Sequence, residues 1–504
     1  MEIWLASLLN VFSPVALLLI AGGVMAGVML GAIPGLNSPM GTALLIPFTY
    51  AMTPANGLML LTAVYCGGTF GGSISAILFN VPGAPEASVT GFDGYPMAKA
   101  GKAGKALGIA IMCSCMGGIF SVIVMSLISP QLANVALSFS EPEYFALALA
   151  ALTLIASLGG DKMIKAFIAG CIGLLAATIG IDPMTSVERF TFGGDALMGG
   201  INFIPALIGA FAVGEILMTA EAGLKKTSEA VTKVSTQLPK IFELIQLKWT
   251  ILRSAVIGTL IGILPGVGAT TAAFVGYSEA VRWSKHPEKF GTGIPEGIAA
   301  PETANNAAAG GAMVPLLTLG IPGSATTAVI IGGFMVHGMQ PGPMLFINQP
   351  GLMYSLFIAM FVANIFMLFS GIIVAKLFSN FRKIRYSILG PCIFVFASVG
   401  AFGISNSMVD VWIMFAFGLI GYVMKKFDFP IAPLIIALVL GELAEISLRR
   451  GMRMADWDMS AFIFRPIGGT ILLLTLLTLL FTIYSKIKKK PNILAGDIPK
   501  TKKS

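Results

Sequence analysis

Four Pro-Gly pairs carry the groups in this sequence best suited to chemistry: Pro34-Gly35, Pro82-Gly83, Pro265-Gly266 and Pro322-Gly323. Each interrupts an apolar run, and small hydroxyl or amide residues stand beside it. Asn37, Ser38 and Thr42 follow the first, Asn80 precedes the second, Thr270 and Thr271 follow the third, and Ser324 and Thr326 follow the fourth. In hydrocarbon an unpaired backbone group costs several kcal/mol, so a break is tolerated only where the freed N–H and C=O groups face protein or water. The breaks therefore point to a cavity. A half-helix starting just after Pro-Gly aims unpaired N–H groups, equivalent to about half a positive charge, into that cavity and holds an anion without a lysine. The hydroxyls and amides would supplement those groups; the alternative for any one hydroxyl is a bond to its own helix backbone. Broken-helix carbonyls with Asn80, Asn305 or Asn306 offer oxygen to Na+, a hard cation. Glu302 opens an apolar run and is a further ion-coupling candidate, or else an N-terminal helix charge at the surface.

This is binding chemistry rather than catalysis. The sequence has no H-E-x-x-H zinc motif, no Ser–His pairing at motif level and no G-x-x-x-x-G-K-[ST] phosphate loop. Its two histidines, His286 and His337, form no metal-binding pair, and its five cysteines lack metal-ligand spacing. No cofactor is expected beyond a coupling cation, Na+ or H+. An intramembrane enzyme and a channel are the alternatives to a secondary transporter.

The breaks must be positioned by a membrane body. The chain has 504 residues, 56% of them hydrophobic and 11% charged, with a mean hydropathy of +0.88, outside the range of soluble domains. The fold class is therefore an all-α polytopic membrane protein with roughly a dozen transmembrane or half-spanning helices. Its net charge of +8 sits in short clusters between apolar runs and at the C-terminus, which is the positive-inside pattern and not a nucleic-acid surface. Spans are expected near 15–33, 58–79, 106–129, 143–159, 163–181, 201–218, 351–378, 387–404, 408–424, 430–448 and 466–485, with 39–52 too brief to cross. Met1-Glu2-Ile3-Trp4 lacks a basic n-region, so the first run reads as a retained helix. Glu86 and Asp93 follow the second break in a Gly/Pro-containing loop, where Lys99 is a candidate to balance them.

The halves repeat. Gly27-x-x-x-Gly31-Ala32-Ile33-Pro34-Gly35 matches Gly258-x-x-x-Gly262-Ile263-Leu264-Pro265-Gly266, and Val81-Pro82-Gly83 matches Ile321-Pro322-Gly323. The charge order reverses between them. In the first half the loop 53–57 lacks basic residues and the later loop holds Lys99, Lys102 and Lys105. In the second, Arg282, Lys285 and Lys289 come first and 336–349 has none. Basic loops on one side imply two inverted repeats with Pro-Gly-broken helices, the architecture of secondary transporters. The expected organisation is a first membrane repeat at 1–218, a cytoplasmic connector at 219–248, a second repeat plus C-terminal helices at 249–485 and a Lys-rich cytoplasmic tail at 486–504. The loop with Arg449, Arg450 and Arg453 falls outside, so either it breaks the charge rule or 430–448 is not a simple span; Glu445, one helical turn from Arg449, could pair with it and weaken the charge signal.

The paired G-x-[IL]-P-G and [VI]-P-G motifs, with the stretch Pro295-Glu296-Gly297-Ile298-Ala299-Ala300-Pro301-Glu302-Thr303-Ala304-Asn305-Asn306-Ala307, resemble the large membrane subunit of the tripartite tricarboxylate transporters, the TctA family, over nearly the whole chain. The resemblance implies a multi-pass permease of the bacterial inner membrane that works with a small four-helix membrane subunit (TctB-like) and a periplasmic solute-binding protein (TctC-like). The binding protein would capture the carboxylate, and a cation gradient would drive uptake.

Overall fold

The computed structural model describes residues 2–33, 36–157, 162–222, 237–380 and 386–487. Pro34, Gly35 and nearly all of the Lys-rich tail lie outside the described residues. Within them eight helices are long and apolar enough to cross a membrane: Pro14–Ala32, Pro54–Phe79, the run Ala87–Ala136, Phe203–Glu221, Phe242–Ile263, Pro350–Phe378, Met408–Lys426 and Ile431–Met454. Shorter apolar helices include Glu2–Val11, Met163–Ala177, Ala325–Val336, Gly390–Ser405 and Pro466–Leu480. The chain is an all-α polytopic membrane protein, and its one described sheet is a two-residue hairpin, Gly180–Ile181 on Glu188–Arg189.

Helix starts follow the sequence signals. Ser13 and Thr53 accept from Ala16 N and Asn56 N, and each is followed by a proline at the first helical position, where the missing N–H costs nothing. Pro54–Phe79 and Glu296–Leu319 end on left-handed residues, Asn80 (φ 55°) and Gly320 (φ 72°). Gly, and next best Asn, adopts that conformation with least strain.

The repeat is built into the packing. Pro14–Ala32 crosses Pro54–Phe79 with Gly27 and Gly31 pressed on the carbonyls of Val64 and Gly68, where a Cβ would stand 2.4 and 2.5 Å from oxygen. In the second half Ile241–Ile263 crosses Glu296–Leu319 with Gly258 and Gly262 on the carbonyls of Ala304 and Ala308, at 2.2 and 2.4 Å. The facing glycines also correspond: Gly71 lies on Val28 O and Gly311 on Thr259 O. Without a hydrophobic drive between helices in lipid, backbone-to-backbone approach supplies the packing energy. These crossings form the larger buried cluster together with Ala103–Ala136 and Pro350–Asn380. A second cluster gathers Ser38–Thr49, the segment around Phe203–Ile208 and the helices Tyr386–Ser405, Met408–Lys426 and Ile431–Met454.

Three stretches of the structure bear on the sequence expectations. The stretch after the second break is no loop. Ala87–Met97 is helical and runs through a π-turn at Ala98–Lys102, kinked at Gly101 (φ 81°), into Ala103–Ala136. Gly91, Gly94 and Pro96 read as breakers, yet the glycines let this helix lie on Ala76 and Ile77. The expected connector is helical at both ends, Gly214–Ala222 and Ile241–Ile263, while 223–236 lies outside the described residues. The arginines of 449–453 are on no loop, because Ile431–Met454 continues through them.

Their charge is answered locally. Arg449 pairs with Glu445 at 3.0 Å, as expected, and with Asp182 at 2.6 Å; Arg450 pairs with Glu141 at 3.3 Å. Asp182 also accepts the N–H groups of Met184 and Thr185. Those bonds, then Arg449, hold its carboxyl well below the usual carboxylate range. A depressed folded value gives stability that is present above the unfolded value, near 3.9, and is lost as pH falls through the folded one. The thermal-stability gap between the wild type and Asp182→Asn in detergent is therefore expected to be constant from pH 5 to 7 and to close progressively below about pH 4.

Candidate functional site at the crossed half-helices

Each half-helix that follows a break packs on one from the other half of the chain. Ser38–Thr49 lies against Ala325–Val336, with Gly332 near Ile46. Ala87–Met97 lies against Gly268–Trp283 through Phe92 on Phe274 and Tyr277. The connecting loops meet likewise. His337 touches Gly57, so the two uncharged loops adjoin, and Gly293 touches Met97 beside the lysines of 99–105.

The third and fourth breaks are bonded to each other. Gly266 (φ 78°) donates its N–H to Gly323 O at 2.9 Å. Gly83 at the second break donates to Gly72 O at 3.2 Å and sits so close to Gly31 that a Cβ would stand 2.0 Å from its carbonyl oxygen. Tyr65 Oη lies 3.1 Å from Ser324 Oγ, and one turn further along, Gly68 faces the Ser38 hydroxyl. Residues beside the first and fourth breaks thus flank a single turn of Pro54–Phe79. Across the site, the half-buried Glu86 meets the Thr270 hydroxyl.

The hydroxyls and amides divide between the two expectations. Thr42 donates to Ser38 O at 2.8 Å and serves its own helix. Asn37 and Ser324 cap theirs, accepting from Met40 N at 3.1 Å and Thr327 N at 3.2 Å, so those N–H groups are already satisfied. Ser38 Oγ is buried without a partner among the described residues. Pro82 and Asn80 are exposed, Pro265, Thr270 and Thr271 are half-buried, and Pro322 and Thr326 are buried.

Glu302 is fully buried and not a surface charge. Ser73 Oγ donates to its Oε1 at 2.5 Å, Thr90 Oγ1 donates to the same oxygen, and Ser114 Oγ donates to Oε2 at 2.6 Å. Beside it Asn306 Nδ2 donates to Asn305 Oδ1 at 2.7 Å and to Glu302 O at 3.3 Å. Asn305 Nδ2 and Asn306 Oδ1 are buried without partners among the described residues. Sequence reasoning missed the three hydroxyls because one serine or threonine on an apolar helix carries no signal. Asp93, also fully buried, is not balanced by Lys99. Its Oδ1 accepts the N–H groups of Gly291, Gly293 and Ile294 at 2.9, 2.8 and 3.0 Å, and its Oδ2 accepts Tyr277 Oη–H at 2.9 Å.

A cavity of about 870 Å³ opens beside the end of Glu296–Leu319. Leu319 and Gly320 line it near the fourth break, Gln340 lines it as well, and Arg450, paired with Glu141, is the one cation among the lining residues. Arg450 and the uncharged loop 336–349 thus line one cavity.

The family model described as the tripartite tricarboxylate transporter TctA family matches residues 17–436. An uncharacterized 52.8 kDa protein in the TAR-I ttuC' 3' region of Agrobacterium vitis is 36% identical over 468 residues, covering 93% of each chain. An uncharacterized protein in the TAR-II ttuC' 3' region of the same organism is 38% identical over 233 residues, 46% of this chain and 96% of its own. No solved structure matches significantly.

Proposed function

The chain belongs to the tripartite tricarboxylate transporter TctA family, and from that premise we propose that it is the permease subunit of a binding-protein-dependent secondary transporter for tricarboxylates or related carboxylates. A cation gradient drives it. It works in the bacterial inner membrane with a small TctB-like membrane subunit and a TctC-like periplasmic binding protein that delivers the substrate. The observation that carries this reading is the crossed packing of half-helices from the two halves, which sets Tyr65 of the first against Ser324 of the second. Substrate carboxylates bind at the breaks through half-helix N–H groups and through Ser38, Thr270 and Ser324, with the 870 Å³ cavity as the periplasmic approach.

Inversion of the repeats has its support in the loop contacts, uncharged with uncharged and basic with basic. Cysteines introduced at Asn56 and Gln340 are expected to label from the periplasm, and those at Lys102 and Lys285 only from the cytoplasm; labelling of Asn56 and Lys285 from one side removes the inversion. Proteoliposomes holding the chain, its small partner and excess binding protein are expected to accumulate a tricarboxylate saturably when a cation gradient is imposed. Downhill leakage that ignores the binding protein would mark a channel, and a chemically altered solute would mark an enzyme.

A further inference from the structure

We propose that Glu302 binds the coupling ion, that this ion is a proton, and that Ser73, Thr90 and Ser114 form the cage that accepts and releases it. The proposal rests on the reading of the chain as a cation-driven permease and assigns both the ion and its seat. The hydroxyls around Glu302 behave unlike their neighbours. Thr69, Ser75, Ser121 and Thr303 donate to carbonyls of their own helices, at 2.9, 3.1, 2.9 and 2.7 Å. Ser73, Thr90 and Ser114, from three different helical segments, all turn to one carboxyl group of the other half of the chain.

That carboxyl is sealed from water, and the described hydrogen bonds to it come from the three hydroxyls, none of them charged. An ionised carboxylate so placed is costly unless a cation neutralises it. A cation the size of Na+ or Ca2+ stands about 2.3–2.6 Å from each oxygen ligand and so holds its ligands apart. Here the three hydroxyls donate directly to the two carboxyl oxygens, so the lone pairs a metal cation would take are shared with O–H donors. A proton is the cation that fits. The unpartnered Asn306 Oδ1 and Asn305 Nδ2 beside the site are an acceptor and a donor through which the network can rearrange when the carboxyl changes state.

The half-helix that carries Thr90 begins at a partly exposed acid. Glu86 is half-buried at the second break, one helical turn before Thr90, and touches Thr270 of the third. On loading, a proton passes from water at the break through Glu86 and the Thr90 hydroxyl, an O–H bond forms on Glu302, and one cage hydroxyl turns from donor to acceptor. On release that O–H bond breaks, the proton leaves to water on the opposite side, and the hydroxyl turns back. Other titratable groups on the elements packed around the site are Tyr65 and Cys66, Asp93 and Tyr95, Lys105, Cys113 and Cys115, Tyr277, Glu279 and Arg282, Glu296 on the helix of Glu302 itself, and Glu243, Lys248 and Arg253 on Ile241–Ile263. Asp93 is committed to four donors, Glu243 to Lys105 and Glu279 to Arg282. Asp93 also stands one turn from Thr90 but is fully buried, whereas Glu86, one turn on the other side, is partly exposed. Because Thr90 belongs to a half-helix that follows a break, the protonation state of Glu302 acts on the element that shapes the substrate site.

Infrared difference spectra of the purified full-length chain, recorded between high and low pH without substrate, test the site independently of transport. A carboxylic C=O band is expected to appear on acidification, to be absent in Glu302→Gln, and to move in frequency in Ser114→Ala and Thr90→Val, which remove its hydrogen bonds. In proteoliposomes proton-driven uptake is expected to fall more than tenfold in Glu302→Gln. Identical spectra for the wild type and Glu302→Gln would overturn the assignment, and so would loss of the band on adding Na+ at fixed pH. Should Glu302→Gln not fold, a band unmoved in both hydroxyl variants overturns it equally. A band that behaves as expected in a chain that transports no carboxylate supports the proton site while removing the function proposed above.

Discussion

Gly266→Val and Gly323→Val are each expected to cut carboxylate uptake at least a hundredfold, roughly 2.7 kcal/mol, in protein that still inserts. Gly266 holds φ 78° while its N–H bonds Gly323 O, and a β-branched residue at that φ is a genuine outlier. Strain there would be relieved by breaking the bond that joins the two breaks. At Gly323 a Cβ would meet Ala312 Cα at 2.7 Å inside a buried helix, where nothing flexible can yield. The control is Gly22, on a crossing helix but with nothing within 4 Å of its added Cβ; Gly22→Val should transport normally. Insertion is read by the Lys285 and Gln340 cysteine labels, uptake in proteoliposomes with binding protein in excess. Normal uptake in both break variants would take the breaks out of the binding site.

Asp93→Ala is expected to cost the most stability of any single change named here. It strands three backbone N–H groups and one phenol, all of which now bond the carboxylate. At about 1–3 kcal/mol for each unsatisfied donor, the loss is on the order of 4 kcal/mol or more and should leave little folded protein in detergent. Tyr277→Phe removes one donor and keeps the other three bonds, so its melting temperature should fall only slightly. Gly297→Ala should be severe as well, because its Cβ would stand 2.0 Å from Asp93 Oδ2. A melting temperature for Asp93→Ala within a degree or two of wild type would show that the loop 291–294 does not depend on this anchor.

Seven of the eleven expected spans fall on helices long and apolar enough to cross, two of them opening with a capping residue and a proline at Ser13-Pro14 and Thr53-Pro54. The stretches 143–159, 163–181, 387–404 and 466–485 do not reach that length and apolarity among the described residues. The repeat was legible because Gly27, Gly31, Gly258 and Gly262 serve backbone contacts that no other residue can make. Ala87–Met97 was not legible: Gly91, Gly94 and Pro96 signal a turn locally, and only packing on Ala76 and Ile77 holds the segment helical. Of the site, Glu302 was visible as a lone acid in an apolar context, and Asp93 was visible but assigned to the wrong partner. Ser73, Thr90 and Ser114 were invisible, since what distinguishes them is a carboxyl group brought in from the other half of the chain.

The crossing of half-helices also constrains how the chain is made. Ser38–Thr49 leaves the ribosome long before Ala325–Val336, the segment it rests on, and Ser73 is delivered 229 residues ahead of the carboxyl it bonds. Until the second half is translated, the first lies in the bilayer with its breaks uncovered and its inward hydroxyls unmatched, a state for membrane chaperones and quality-control proteases to recognise. Neither half covers its own half-helices and inward hydroxyls by itself. A chain cut within 223–236 is accordingly one whose two pieces survive when synthesised together in one cell, each serving as the template on which the other closes.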